Sequence, residues 1–112
     1  MNLNLAIALE RVGGDEELLR EIAGLFLEDC PTLMTKIEQA VATNDAFNLE
    51  RAAHSLKGSI ANFGSEAAYQ ASLDLEQIGR SKDLAKMHEA HAKLVEVMAH
   101  VTPELQALSG AS

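Results

Sequence analysis

His54, Lys57 and Gly58 lie about one helical turn apart in the run Ala52-Ala53-His54-Ser55-Leu56-Lys57-Gly58-Ser59. A neutral imidazole is available near pH 7 and attacks phosphorus readily, giving a reactive phosphoramidate that can hand its phosphoryl group on. A lysine one turn along supplies a cation for phosphoryl oxygens. Glycine in a helix interior costs about 1 kcal/mol relative to alanine, so something should need the missing side chain of Gly58. Clearance for phosphoryl oxygens and for an incoming partner surface is one such need.

These residues sit in an apolar-periodic run from about Asn44 to Phe63, bounded by Asn44-Asp45 before and Gly64 after, which predicts a helix. At about 100° per residue, Leu49, Ala53, Leu56, Ile60 and Phe63 cluster on one side, and His54 falls roughly 140° from their centre. The imidazole should therefore point to solvent, with Lys57, Gly58 and Ala61 on its face. Ser55, Ala61 and Arg51 are the candidate residues for docking a partner around it.

The rest of the chain is expected to hold that helix in place. Leu3 to Val12 suggests a short first helix with Asn2 or Asn4 as N-cap, stopped by Gly13-Gly14. Asp15 should cap a long helix, and Glu16 and Glu17 complement its positive end better than they suggest a metal site. Its stripe runs Leu19, Ile22, Phe26, Cys30, Leu33, Ile37, Val41. Pro31 interrupts this stripe without shifting its phase, which favours one kinked helix over two coaxial pieces. Gly64 and Ser65 mark a turn into a helix faced by small residues, running to about Gly79-Arg80, which should pack closely on the His54 helix. Ser81 is the expected cap of a last long helix with the stripe Leu84, Met87, His91, Leu94, Val95, Met98. Thr102-Pro103 predicts a short terminal helix after it. Short connections between long helices imply an all-α, antiparallel, up-down four-helix bundle with a short N-terminal and a short C-terminal helix, as a single domain over residues 1–112.

The same geometry suggests a partner for the histidine. His54 lies ten residues before Gly64 and Glu76 twelve after it, so the two meet at similar height in a helical hairpin. A carboxylate bonded to one imidazole nitrogen would fix the tautomer and leave the other nitrogen as nucleophile.

Composition excludes several alternatives. The net charge of −8 argues against binding nucleic acid or anionic membranes. No signal peptide or membrane-spanning run is evident, and a lone cysteine fits a reducing, cytoplasmic setting. Cys30, in phase with the core stripe, is expected to be a buried, inert thiol. Met34, Met87 and Met98 are expected core filler, and His91 a partly buried core histidine. His88 and His91, at i and i+3, lack further ligands for a metal, and His100 should be exposed near a helix end. No nucleotide-binding loop or acidic cluster for Mg²⁺ is present, so neither a cofactor nor a metal is assigned to this chain.

The run AxHxLKGSxxxxG from Ala52 to Gly64 resembles the signature of histidine-containing phosphotransfer (HPt) domains of bacterial phosphorelays. The likeness extends to Gly13–Pro31 upstream and Leu75-Glu76 downstream. It implies a four-helix bundle in which His54 accepts a phosphoryl group from an aspartyl phosphate and exchanges it with an Asp of a response-regulator receiver domain. A sensor or hybrid histidine kinase would stand upstream, and the receiver would bring Mg²⁺ and the catalytic groups. By matching position, Lys57 would steady the phosphoryl oxygens, Gly58 would allow close approach, and Glu76 stands where the family has Glu or Gln. The chain would then be a phosphoryl carrier, not an enzyme, and a monomer. Its length and initial Met suggest a free-standing version of the domain. Two rival readings are a helical adaptor that transfers nothing, which leaves Lys57 and Gly58 without a purpose, and an enzyme using His54 and Glu76 as an acid–base pair.

Overall fold

The computed structural model describes residues 2–110. Its elements are α1 (Leu5–Arg11), α2 (Glu16–Ala42), α3 (Ala46–Ile60), α4 (Glu66–Ser81) and α5 (Met87–Ser109), with 3₁₀ turns at Ala61–Phe63 and Leu84–Lys86. No strand occurs among the described residues.

Helix starts follow short polar side chains that satisfy otherwise orphaned amides. Asn4, Asp15, Asp45 and Ser65 accept from the backbone N–H of Ile7, Leu18, Asn48 and Ala68. The expected cap at Ser81 is displaced. Ser81 is the last residue of α4, Lys82 turns the chain in a left-handed conformation, and Asp83 caps the 3₁₀ turn that leads into α5. Gly64, at φ +69°, ends the turn after α3. A Cβ there would lie 2.7 Å from the Cβ of Asn4, so this glycine also lets the N-terminal arm approach.

Both prolines sit inside helices. α2 runs unbroken through Pro31, as its in-phase stripe predicts. The expected helix break at Thr102-Pro103 is absent: α5 continues through Pro103 to Ser109, so there is no separate C-terminal helix. Val101 and Leu105 are fully buried on either side of Pro103, and that continuous apolar contact offsets the lost backbone hydrogen bond. The stripe of α5 is Met87, Leu94, Val97, Met98, Val101, Leu105, with His91 half-buried. Val95, expected in the core, is exposed, because it lies about 100° round the helix from Leu94.

α2, α3, α4 and α5 enclose one apolar core, with α2 packed on α3 and α5, and α4 on α3 and α5. α1 caps one end against the Ala61–Phe63 turn, where Asn4 N–H donates to Phe63 O at 3.0 Å. Phe63 is fully buried and meets Phe26 with ring centroids 5.6 Å apart. The longest dimension, 41 Å, is close to the length of α2, about 1.5 Å per residue over its 27 residues. α3 and α4 run antiparallel, since Ala46 and Glu50 meet Gly79 while His54 meets Glu76. Gly79 sets their spacing: a Cβ on it would stand 2.7 Å from Ala46 O and Glu50 N. The close packing expected from the small-residue face of α4 is thus centred on one glycine. Cys30 is buried in the core with its thiol pKa raised by burial. Among the described residues no helix is long and apolar enough to cross a membrane.

Candidate functional site

The phase of α3 puts Leu49, Ala53, Leu56 and Ile60 at 0% exposure and turns His54 outward, with 67% of its side chain exposed. Its Nδ1 stands 2.8 Å from Oε2 of Glu76 on α4, the contact expected from their similar heights in the hairpin. The carboxylate can accept only, so a neutral ring in this contact carries its proton on Nδ1 and its lone pair on Nε2.

Glu76 itself is 1% exposed. Leu75 beside it is fully buried, and α3 and α4 approach closely one turn along at Gly79. A buried carboxylate is tolerated when paired, and three groups pair with this one. Lys57 Nζ lies 2.6 Å from Oε1 as an ion pair, its angles short of an aligned hydrogen bond. Arg80 Nη2 donates to Oε2 at 3.0 Å, on the oxygen that His54 also uses. Burial pushes the Glu76 pKa up, but the hydrogen bonds and charges of Lys57 and His54 outweigh it and hold the group below its ordinary value. Glu76 is ionised at neutral pH.

Lys57, only 18% exposed, lies against the Tyr69 ring with its ammonium 6.0 Å from the centroid. Its first partner is therefore Glu76. The contact is ionic rather than an aligned hydrogen bond, so the ammonium keeps N–H donors for oxygens near His54. Gly58 is exposed, and a Cβ on it would meet nothing within 4 Å. No neighbour among the described residues requires that glycine.

The three candidate docking residues flank His54 without sharing one recess. Arg51 and Ser55 line a groove of about 590 Å³ between α2 and α3, with Lys36 and Asn48. Arg51 also lies over the Phe47 ring, 5.5 Å from its centroid, and Phe47 is 65% exposed. Ala61 lines a separate recess with Ile7 and Tyr69 beside α1. His88 and His100 are exposed, and no group of three His, Cys, Asp or Glu converges among the described residues.

Two residues of the cluster were missed in the sequence. Arg80 Nε donates to Glu50 Oε2 at 3.0 Å while its Nη2 reaches Glu76, so one guanidinium joins α3 to α4. The signals were present: Arg80 is i+4 from Glu76, and Glu50 is i−4 from His54 on the same face. Every ion pair among the described residues falls within this α3–α4 cluster.

The family model for the Hpt domain matches residues 21–111. A similar solved structure is the crystal structure of histidine-containing phosphotransfer protein B (HptB) from Pseudomonas aeruginosa PAO1. It superposes with a TM-score of 0.88 at 19% identity, covering 99% of this chain and 96% of that one. At that identity the likeness speaks for the fold. No curated protein matches the chain.

Proposed function

Because the chain belongs to the Hpt domain family, we propose that His54 is the phosphoryl acceptor of a phosphorelay, loaded from the aspartyl phosphate of one receiver domain and unloaded onto an Asp of a response-regulator receiver. The observation that carries this reading is the pairing of a 67%-exposed imidazole with a buried carboxylate through Nδ1 alone. In the loading step the Nε2 lone pair attacks phosphorus, and the bond from phosphorus to the aspartyl oxygen breaks. The aspartate leaves with the electron pair. Positive charge that develops on the ring is met through Nδ1–H by Glu76, which is already ionised and in place. In unloading, a receiver carboxylate oxygen attacks phosphorus, the P–N bond breaks, and the imidazole departs neutral with its proton still on Nδ1.

Lys57 supplies its uncommitted N–H donors to the phosphoryl oxygens, and Gly58 leaves room for the receiver's catalytic groups and Mg²⁺. Arg51, Ser55 and Ala61 border the docking surface on its two sides. The chain carries the phosphoryl group, and the receiver brings the metal and the remaining catalytic groups. An upstream sensor or hybrid histidine kinase supplies the first phosphoryl group, and the carrier acts as a cytoplasmic monomer. The test is incubation with a phosphorylated receiver domain and Mg²⁺. Acid-labile label should appear on the wild type and be absent from His54→Gln. A stable complex without label would favour the adaptor reading, and label persisting in His54→Gln would end the carrier reading.

A further inference from the structure

The guanidinium of Arg80 is engaged on both sides. Its Nε is held by Glu50 Oε2 at 3.0 Å and its Nη2 by Glu76 Oε2 at 3.0 Å. The Glu76 oxygen it contacts is the one bonded to His54 Nδ1, while Lys57 holds the other oxygen. The carboxylate plane is thereby fixed at three points. Two come from α3 directly, and the third reaches α3 through Arg80 and Glu50. Arg80 is 64% exposed, and exposed ion pairs add little to stability. The Glu50 contact thus offers the fold little, yet it steadies the guanidinium that bonds the one Glu76 oxygen orienting the imidazole, so its consequence falls at His54.

We propose that the Glu50–Arg80 pair is a positioning device for His54: it holds Glu76 in the orientation that keeps the imidazole proton on Nδ1 and the lone pair on Nε2. The inference rests on His54 being the phosphoryl acceptor. Two effects combine. Arg80 occupies one lone pair of Oε2 and leaves the other aimed at Nδ1–H, which fixes the ring's tautomer. Arg80 and Lys57 also hold the carboxylate from both oxygens, which limits its rotation away from Nδ1–H. Tyr69 is the remaining titratable group against this cluster, under Lys57, and no residue of α2 or α5 forms an ion pair with it among the described residues.

The test uses the 112-residue chain labelled with [¹⁵N]histidine, with His54→Gln assigning the His54 signals among the four histidines. Ring ¹⁵N shifts report the tautomer, and transfer from a phosphorylated receiver and from phosphoramidate reports reactivity. In the wild type, His54 should be a single Nδ1–H tautomer. Arg80→Gln should mix in the Nε2–H form and slow both transfers by about ten- to a hundredfold, the scale set by misplacing a reacting group. The receiver concentration at half-saturation should not change. Glu50→Gln should act in the same direction to a smaller extent, and Arg80→Lys, which keeps a cation beside Glu76, should restore most of the tautomer and the rate. Thermal unfolding of each variant guards against misfolding, to which Glu50→Gln is the less exposed. An unchanged tautomer or an unchanged rate in Arg80→Gln overturns the proposal. Failure of the wild type to take label from either donor would instead overturn His54 as acceptor, and the tautomer measurement would still decide the role of Arg80.

Discussion

At the scale of single residues, the carboxylate of Glu76 holds the site together. It is buried, ionised, and shared by an imidazole, an ammonium and a guanidinium. Glu76→Ala removes the acceptor for Nδ1–H and leaves the largely buried ammonium of Lys57 without its partner. An unpaired group of that kind costs about 2 kcal/mol, which urea unfolding at pH 7 would register. Glu76→Gln separates position from charge. Its amide oxygen still accepts from Nδ1–H, so the ring stays oriented, but the charge that answers the developing imidazolium is gone. Phosphoryl transfer by Glu76→Gln should therefore fall on the order of tenfold and by more in Glu76→Ala, measured as initial rates from the same phosphorylated receiver.

At the scale of elements, two glycines on facing helices are required for opposite reasons. Gly79 lies where α4 crosses the start of α3, and a Cβ there would stand 2.7 Å from backbone atoms of Ala46 and Glu50. Backbone cannot swing aside as a side chain can, so Gly79→Ala must part the helices. That should cost about 1–3 kcal/mol, more than the helix propensity alanine would gain. It should also loosen Glu50 from Arg80. A Cβ at Gly58 would meet nothing within 4 Å among the described residues, so Gly58→Ala should raise stability by about 1 kcal/mol through helix propensity alone. The same variant should dock and transfer more slowly if a partner occupies that space. A thermal melt paired with a transfer assay tests both halves, and a Gly58→Ala that is more stable and equally fast would remove the clearance role. Ser65, 2% exposed, caps α4 through Ala68, and Ser65→Ala should lower stability by about 1 kcal/mol in the same melts.

At the scale of the whole molecule, stability should depend on carboxylates that stay ionised when folded. Glu76 is held below its ordinary pKa of 4.5 for the reasons given above. Glu104 is pushed up by desolvation, but the amides of Asn2 and Leu3 and the Asn2 side chain bring it below 4.5. Asp45 is lowered by the backbone and side-chain hydrogen bonds of Asn48. A depressed folded-state pKa means that the unfolded chain binds the proton more readily. The contribution is complete above the unfolded value and is lost as pH falls through the folded one. Unfolding free energy should thus decline below about pH 4.5, and Glu76→Gln and Glu104→Gln should each flatten that decline. In Glu104→Gln the loss should include release of the N-terminal arm from α5, visible as faster amide exchange at Leu3.

Much of the molecule was already determined along the chain. Asn4, Asp15, Asp45 and Ser65 mark helix starts because capping is local chemistry, and the exposure of His54 follows from its phase against Leu49, Ala53 and Leu56. Even the His54–Glu76 contact follows from counting residues on either side of Gly64. Pro103 shows where local rules end: its preference to start a helix is real, but the core contact on both sides of it prevails. The tertiary structure alone decided that Lys57 turns to Glu76, that Glu76 is buried, and that Arg80 spans from Glu76 to Glu50. The physical reason is that helical periodicity says which face a side chain occupies but not how near the facing helix comes. Here Gly79 sets that distance, and the distance brings three cationic or imidazole groups within reach of one carboxylate.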